Sequence, residues 1–120
     1  MIIENTARDY LAGKSLDYIG DNVFLEVPVH PPQEYVLVEK TASGEENRID
    51  SAMIAVQSIS RNKDNGLYRA QLVNEAVKAA MKIFAEESTL IYSCRLNTDY
   101  NFTDPDTGEH RYQAVFNIYY

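Results

Sequence analysis

The chain has no tryptophan, one cysteine, four prolines and five glycines among its 120 residues. Each shortage excludes something. A single thiol, Cys94, has no internal partner, so no disulfide framework is available and the count fits a reducing compartment. The scattered glycines form no phosphate-cradling loop. Eleven Lys and Arg against eighteen Asp and Glu leave a net charge of −7, which argues against tight duplex binding, because displacing phosphate counterions needs clustered cations. No run reaches the roughly 18 apolar residues of a membrane span. The opening MIIENTARDYL lacks the basic region and long apolar stretch of a secretory signal. With 45% apolar and 24% charged residues, the composition is that of a soluble globular chain, and its length predicts one domain over residues 1–120.

Chemical signatures are also missing. Ser15, Ser43, Ser51, Ser58, Ser60, Ser88 and Ser93 occur in no nucleophile-elbow context. His30, His110 and Cys94 are too far apart in sequence to match a metal-ligand pattern. Cys94 has no neighbouring basic cluster that would lower its pKa, and it falls in step with Leu90, Tyr92 and Leu96 as a small core residue. Asp99, Asp104, Asp106 and Glu109 resemble a calcium loop only in composition; Gly108 follows Asp106 too closely, and strands flank the segment. A solvated hairpin tip accounts for them better. Asn101-Phe102-Thr103 matches a glycosylation sequon, which matters only in a secreted chain. The pair Pro31-Pro32 reads as a rigid turn rather than a proline-rich ligand. The expectation is a non-enzyme with no cofactor and no metal.

What is present is periodicity. From Leu67 to Glu86, the residues Leu67, Ala70, Val73, Val77, Ala80, Met81 and Phe84 recur at helical spacing, with Asp64 as the cap. Leu72, Ala76, Ala79 and Ile83 widen that apolar arc and predict a second contact, to the N-terminal helix around Tyr10 and Leu11 or to another subunit. A shorter helix is predicted over Asn5–Ala12, with Thr6 and Asp9 as a capping box and Gly13 as the stop. Strands are predicted at Val23–Val27, Tyr35–Thr41, Arg48–Ile59, Thr89–Asn97 and Arg111–Tyr120. Arg48–Ile59 carries apolar residues on both faces and reads as central. Tyr112, Ala114, Phe116 and Ile118 alternate with Arg111, Gln113, Val115 and Asn117 in a period of two. Polar segments Ala42–Asn47 and Asp99–Glu109 read as loops. The fold class is therefore α+β: a mostly antiparallel sheet of about five strands, with one long helix and a short N-terminal helix on one face, in the order α-β-β-β-α-β-β. Nine tyrosines are the compositional excess, and tyrosine is enriched at interfaces.

Four segments, VFLEVPVHPPQEYVLVEKT, GEENRIDSAMIAVQSIS, LVNEAVKAAM and LNTDYNFTD…RYQAVFNIYY, resemble small proteins of tailed, siphovirus-like bacteriophages and prophages. The family is that of tail completion or tail terminator proteins, encoded with the head–tail joining components. The resemblance implies a ring-shaped homo-oligomer, commonly a hexamer, that caps the tail tube and meets the head–tail connector. Its implied partners are further copies of itself, the tail tube protein and connector proteins, in the virion tail and, during assembly, in the host bacterial cytoplasm. It implies no catalytic residue, no cofactor, no membrane and no sequence-specific nucleic acid binding, with DNA at most passing through a lumen. Glu45, Glu46 and Arg48 in one predicted loop region, and Tyr100, Asp104 and Asp106 in the other, are the expected subunit or tube contacts. The alternative is another connector or adaptor protein contacting the portal complex; a small non-viral binding module is the outsider.

Overall fold

The computed structural model describes residues 1–120, except for the side chain of Glu46. Eight elements follow one another: α1 (Ile3–Gly13), β1 (Val23–Phe24), β2 (Glu34–Glu46), β3 (Ile49–Ser60), α2 (Gly66–Lys82), α3 (Phe84–Glu87), β4 (Ser93–Asn101) and β5 (His110–Tyr119). The strands form one five-stranded sheet in the order β1-β2-β3-β5-β4. Only the β1–β2 pair is parallel. The expected α+β class and element order are both present.

β3 lies at the centre, as its two apolar faces predict. Ala52, Ile54 and Val56 point into the core with Val36, Val38, Ala114, Phe116 and Ile118 from the flanking strands. Ile3, Ala7 and Leu11 of α1 and Val73, Val77, Ala80 and Met81 of α2 close over them. Both helices therefore cover the same sheet face, and the other face has no helix. β5 is placed between β3 and β4, so the chain leaves β3, crosses through α2 to the far edge, and returns by a hairpin.

Several local expectations are corrected. Residues 42–47, expected as a loop, continue β2 to Glu46; the reversal is confined to Asn47 and Arg48, whose φ values are 52° and 66°. Two successive positive φ values make the tight hairpin turn whose twist matches its strands. A polar segment can be a strand when neither of its faces needs to be buried. β1 stops at Phe24 rather than Val27 and pairs in parallel with Val36 and Leu37. β4 begins at Ser93, not Thr89, and runs on to Asn101; Leu90 and Tyr92 precede it and are exposed, while Cys94 packs against the core half-buried.

The long helix divides at Ile83. Its amide bonds the Ala80 carbonyl one residue early, in a tightened turn, and the Tyr10 hydroxyl donates to that same carbonyl at 2.7 Å. The Tyr10 ring stacks on Phe84 with centroids 4.3 Å apart. An ion pair between Lys14 and Glu87 completes the dock of α1. Burial and the neighbouring Glu87 carboxylate push the Tyr10 hydroxyl up to about 12, and the Lys14 ammonium holds the Glu87 carboxyl below its ordinary range. The docking contacts thus come from Ala80 and Phe84 of the main stripe. Of the expected flank, Leu72 and Ala76 are half-buried, and Ala79 and Ile83 are exposed. Leu67, placed in the stripe by its spacing, lies at the helix start and is exposed.

None of the expected caps operates. The Thr6 hydroxyl lies inside α1 and donates back to the Ile2 carbonyl, and α1 runs through Gly13. The amides of Asp64 and Asn65 are held instead by the Asn62 side-chain oxygen, at 2.9 and 3.3 Å. Gly66 opens α2 because a Cβ there would lie 2.5 Å from a ring carbon of His110. That close approach seats the start of β5 against the helix.

Candidate functional surfaces

The long dimension of the molecule is 48 Å. The residues expected to make contacts fall at its two ends. Glu45 and Arg48 lie in the β2–β3 hairpin tip, which projects beyond the point where Ser51 pairs with Tyr119. Glu46 is in the same tip, and its side chain lies outside the described residues. Asp104 and Asp106 occupy the β4–β5 loop at the opposite end, beyond the level of Ser60 and His110, and Tyr100 is the next-to-last residue of β4, paired with Gln113. The six are therefore two separate sets, not one site. Sequence distance gave no clue to this, because strand directions decide which loop belongs to which end.

The acidic residues of the loop are spread among different partners. An Asp104 carboxylate oxygen accepts the Asp106 amide at 2.9 Å, an ordinary turn contact. Glu109 accepts the Tyr35 hydroxyl at 3.2 Å and lies 3.8 Å from the Arg111 guanidinium. Asp99 turns to the helix side, where Lys78 and the buried Asn74 each donate to one of its oxygens at 3.0 Å. The Lys78 hydrogen bond holds the Asp99 carboxyl below its ordinary range, and Glu75 and Asp99 raise the Lys78 ammonium. Among the described residues, no three or more His, Cys, Asp or Glu side chains are placed to hold a metal ion.

The helix-free sheet face is a polar ladder. Gln57 donates to Gln113 at 3.1 Å, Gln113 donates to the Tyr100 hydroxyl, and Arg111 donates to Gln57 at 3.4 Å. Tyr35 is buried below this ladder, and burial followed by the Glu109 carboxylate raises its hydroxyl pKa. These bonds tie the side chains of the face to one another, while the buried Arg111 Nε has no hydrogen-bond partner among the described residues.

The two lateral edges are different. Along β4 the outer backbone edge is unpaired, and between β4 and α2 runs a cleft of about 510 Å³. Met81, Cys94, Leu96 and Phe116 give it an apolar floor, with Glu75, Lys78 and Lys82 of the helix at the rim. Burial raises the Cys94 thiol to about 12, which makes it a poor nucleophile at neutral pH. On the opposite edge β1 shields only two residues of β2. The chain that follows, Leu25–Val29, is exposed, with Leu25, Val27 and Val29 at 43%, 56% and 90% accessibility. Sequence reasoning read Val23–Val27 as a strand, so the alternation was visible there. Its lack of a strand partner was not.

No helix is long and apolar enough to cross a membrane. No family model matches the chain, and no curated protein matches it. Its structure is similar to a chain in the virion of a native gene transfer agent particle, with a TM-score of 0.66 over 92% of this chain and 89% of that one. Sequence identity between the two is 15%, so the likeness is one of fold, carried across nearly the whole of both chains.

Proposed function

We propose that this chain is a structural component of a phage-like particle, acting as a tail completion protein that closes into a ring at the head-proximal end of the tail. The near full-length fold likeness to a chain of a gene transfer agent virion carries the reading. The shape of the molecule agrees with it. A ring subunit needs two unlike lateral surfaces, because head-to-tail contacts are heterologous, and two ends for axial neighbours. Here each lateral edge carries exposed apolar side chains, Leu96 on one and Leu25, Val27 and Val29 on the other, and the ends carry the charged tips around Glu45, Arg48, Asp104 and Asp106. In this reading those tips meet the tail tube on one side and the connector on the other. The net charge of −7 lets DNA traverse a lumen without adhering, since like charges repel. The role is one of assembly, with no catalysis and no cofactor.

Analytical ultracentrifugation and negative-stain imaging of the full chain, alone and with tail tube protein, test the proposal. A closed ring, six-fold as in the family the sequence resembles, is the expected result. Monomers under both conditions would overturn it. Capture by a portal or adaptor protein, with no affinity for tube protein, would instead assign the chain to the connector.

A further inference from the structure

The segment after β1 has the pattern of a strand and no sheet to join. Leu25, Val27 and Val29 alternate with Glu26 and Pro28, so an extended chain presents its three apolar side chains on one side. All three are exposed. Among the described residues, no backbone amide from Leu25 to His30 donates a backbone hydrogen bond. On the far edge of the same sheet, β4 offers nine residues with an unpaired outer side. Free strand edges associate unless they are covered.

We propose that Leu25–Val29 of one copy adds as a sixth strand to β4 of the next copy in the ring. This deepens the ring reading and rests on it. Three independent features fit. The first is direction: β1 runs parallel to β2, whereas β4, two antiparallel steps beyond β3, runs opposite to it. The chain bends at Leu25 and Glu26 directly after β1; straightened into the line of β1, in a ring of identically oriented copies, it meets the neighbour's β4 antiparallel, the more stable pairing.

The second is the proline. The amides of Leu25, Val27 and Val29 point one way along an extended chain, and those of Glu26 and Pro28 the other. Pro28 has no N–H, so it belongs on the outer side of a new edge strand, which turns the three usable amides toward β4.

The third is side-chain placement. Cys94 and Leu96 pair with Ile118 and Phe116 on the helix-covered face, and Arg95 pairs with Asn117 on the other. With Leu25, Val27 and Val29 lying over the apolar cleft beside Leu96, Glu26 falls on the face that carries Arg95. Among the described residues Arg95 has no ion-pair partner. Glu26 supplies one.

The test is sedimentation of the full chain and its variants over a range of concentrations, with and without tube protein, and with circular dichroism and thermal melting as folding controls. Val27→Asp and Glu26→Arg change exposed side chains and should leave folding intact. Each is expected to weaken self-association by about tenfold or more, and Glu26→Arg combined with Arg95→Glu is expected to restore it. In a Cys94→Ala background, chains carrying Val27→Cys and chains carrying Leu96→Cys should cross-link to each other on oxidation. If both single variants assemble like the parent chain, the strand-addition proposal is wrong and the ring stands on other contacts. If the parent chain is monomeric throughout, the ring and the strand addition fall together.

Discussion

β3 and β4 are strands of one sheet, twelve and nine residues long, and they are held by different forces. β3 has a neighbour on each side and helices above it, so Ile54 and Val56 are inaccessible to water. β4 has a neighbour on one side only; Arg95, Leu96, Asn97 and Thr98 are exposed, and a bulge interrupts its pairing between Leu96 and Thr98. Its tie to α2 near this bulge is polar, through Asp99, Lys78 and Asn74. The central strand is thus fixed by non-directional apolar burial and the edge strand by a few directional bonds. An edge secured in that way keeps its backbone and its apolar cleft free for a partner.

Three substitutions probe this contrast. Ile54→Ala removes a buried side chain from the centre of the core and is expected to cost about 3–4 kcal/mol in urea unfolding, through lost transfer energy and a residual cavity. Asp99→Ala is expected to cost about 2 kcal/mol, since it strands the buried Asn74 amide and leaves the Lys78 ammonium with Glu75 alone. Leu96→Ala, at 46% accessibility, should change folding stability by less than about 0.5 kcal/mol while reducing self-association. Equal losses at Ile54 and Leu96 would erase the distinction between centre and edge.

Acid sharpens it further. The folded Asp99 carboxyl lies below its ordinary value of 3.8, held there chiefly by the Lys78 hydrogen bond. Its stabilising contribution is full above that ordinary value and is lost as the pH falls through the lowered folded value. The deficit of Asp99→Ala relative to the parent chain should therefore shrink in acid, whereas that of Ile54→Ala should not. Unfolding curves across the acid range read both.

Much of the core was legible before any coordinates. Ala114, Phe116 and Ile118 share the buried face that their period of two required, and Ala70, Val73, Val77, Ala80 and Met81 share one helical stripe. The misreadings cluster where local pattern and burial separate. Residues 42–46 look like a loop because they are polar, but an exposed hairpin arm needs no apolar side chains. The division at Ile83 depends on Tyr10, some seventy residues away, claiming the Ala80 carbonyl. The two loop regions that hold the candidate contact residues are legible in the sequence, but their placement at opposite ends of the sheet follows from strand direction.

The spacing of apolar residues by itself determined the centres of the main helix and strands, their order, and which side of β3, β5 and α2 faces the core, because these follow from contacts between near neighbours in the chain. Only the tertiary structure decided that β1 is short and parallel, that β4 is an edge, and that Leu25–Val29 is left without a partner. Those outcomes depend on which distant strands compete for the same hydrogen-bonding edge, and that competition is settled by chain crossing and packing rather than by any local pattern.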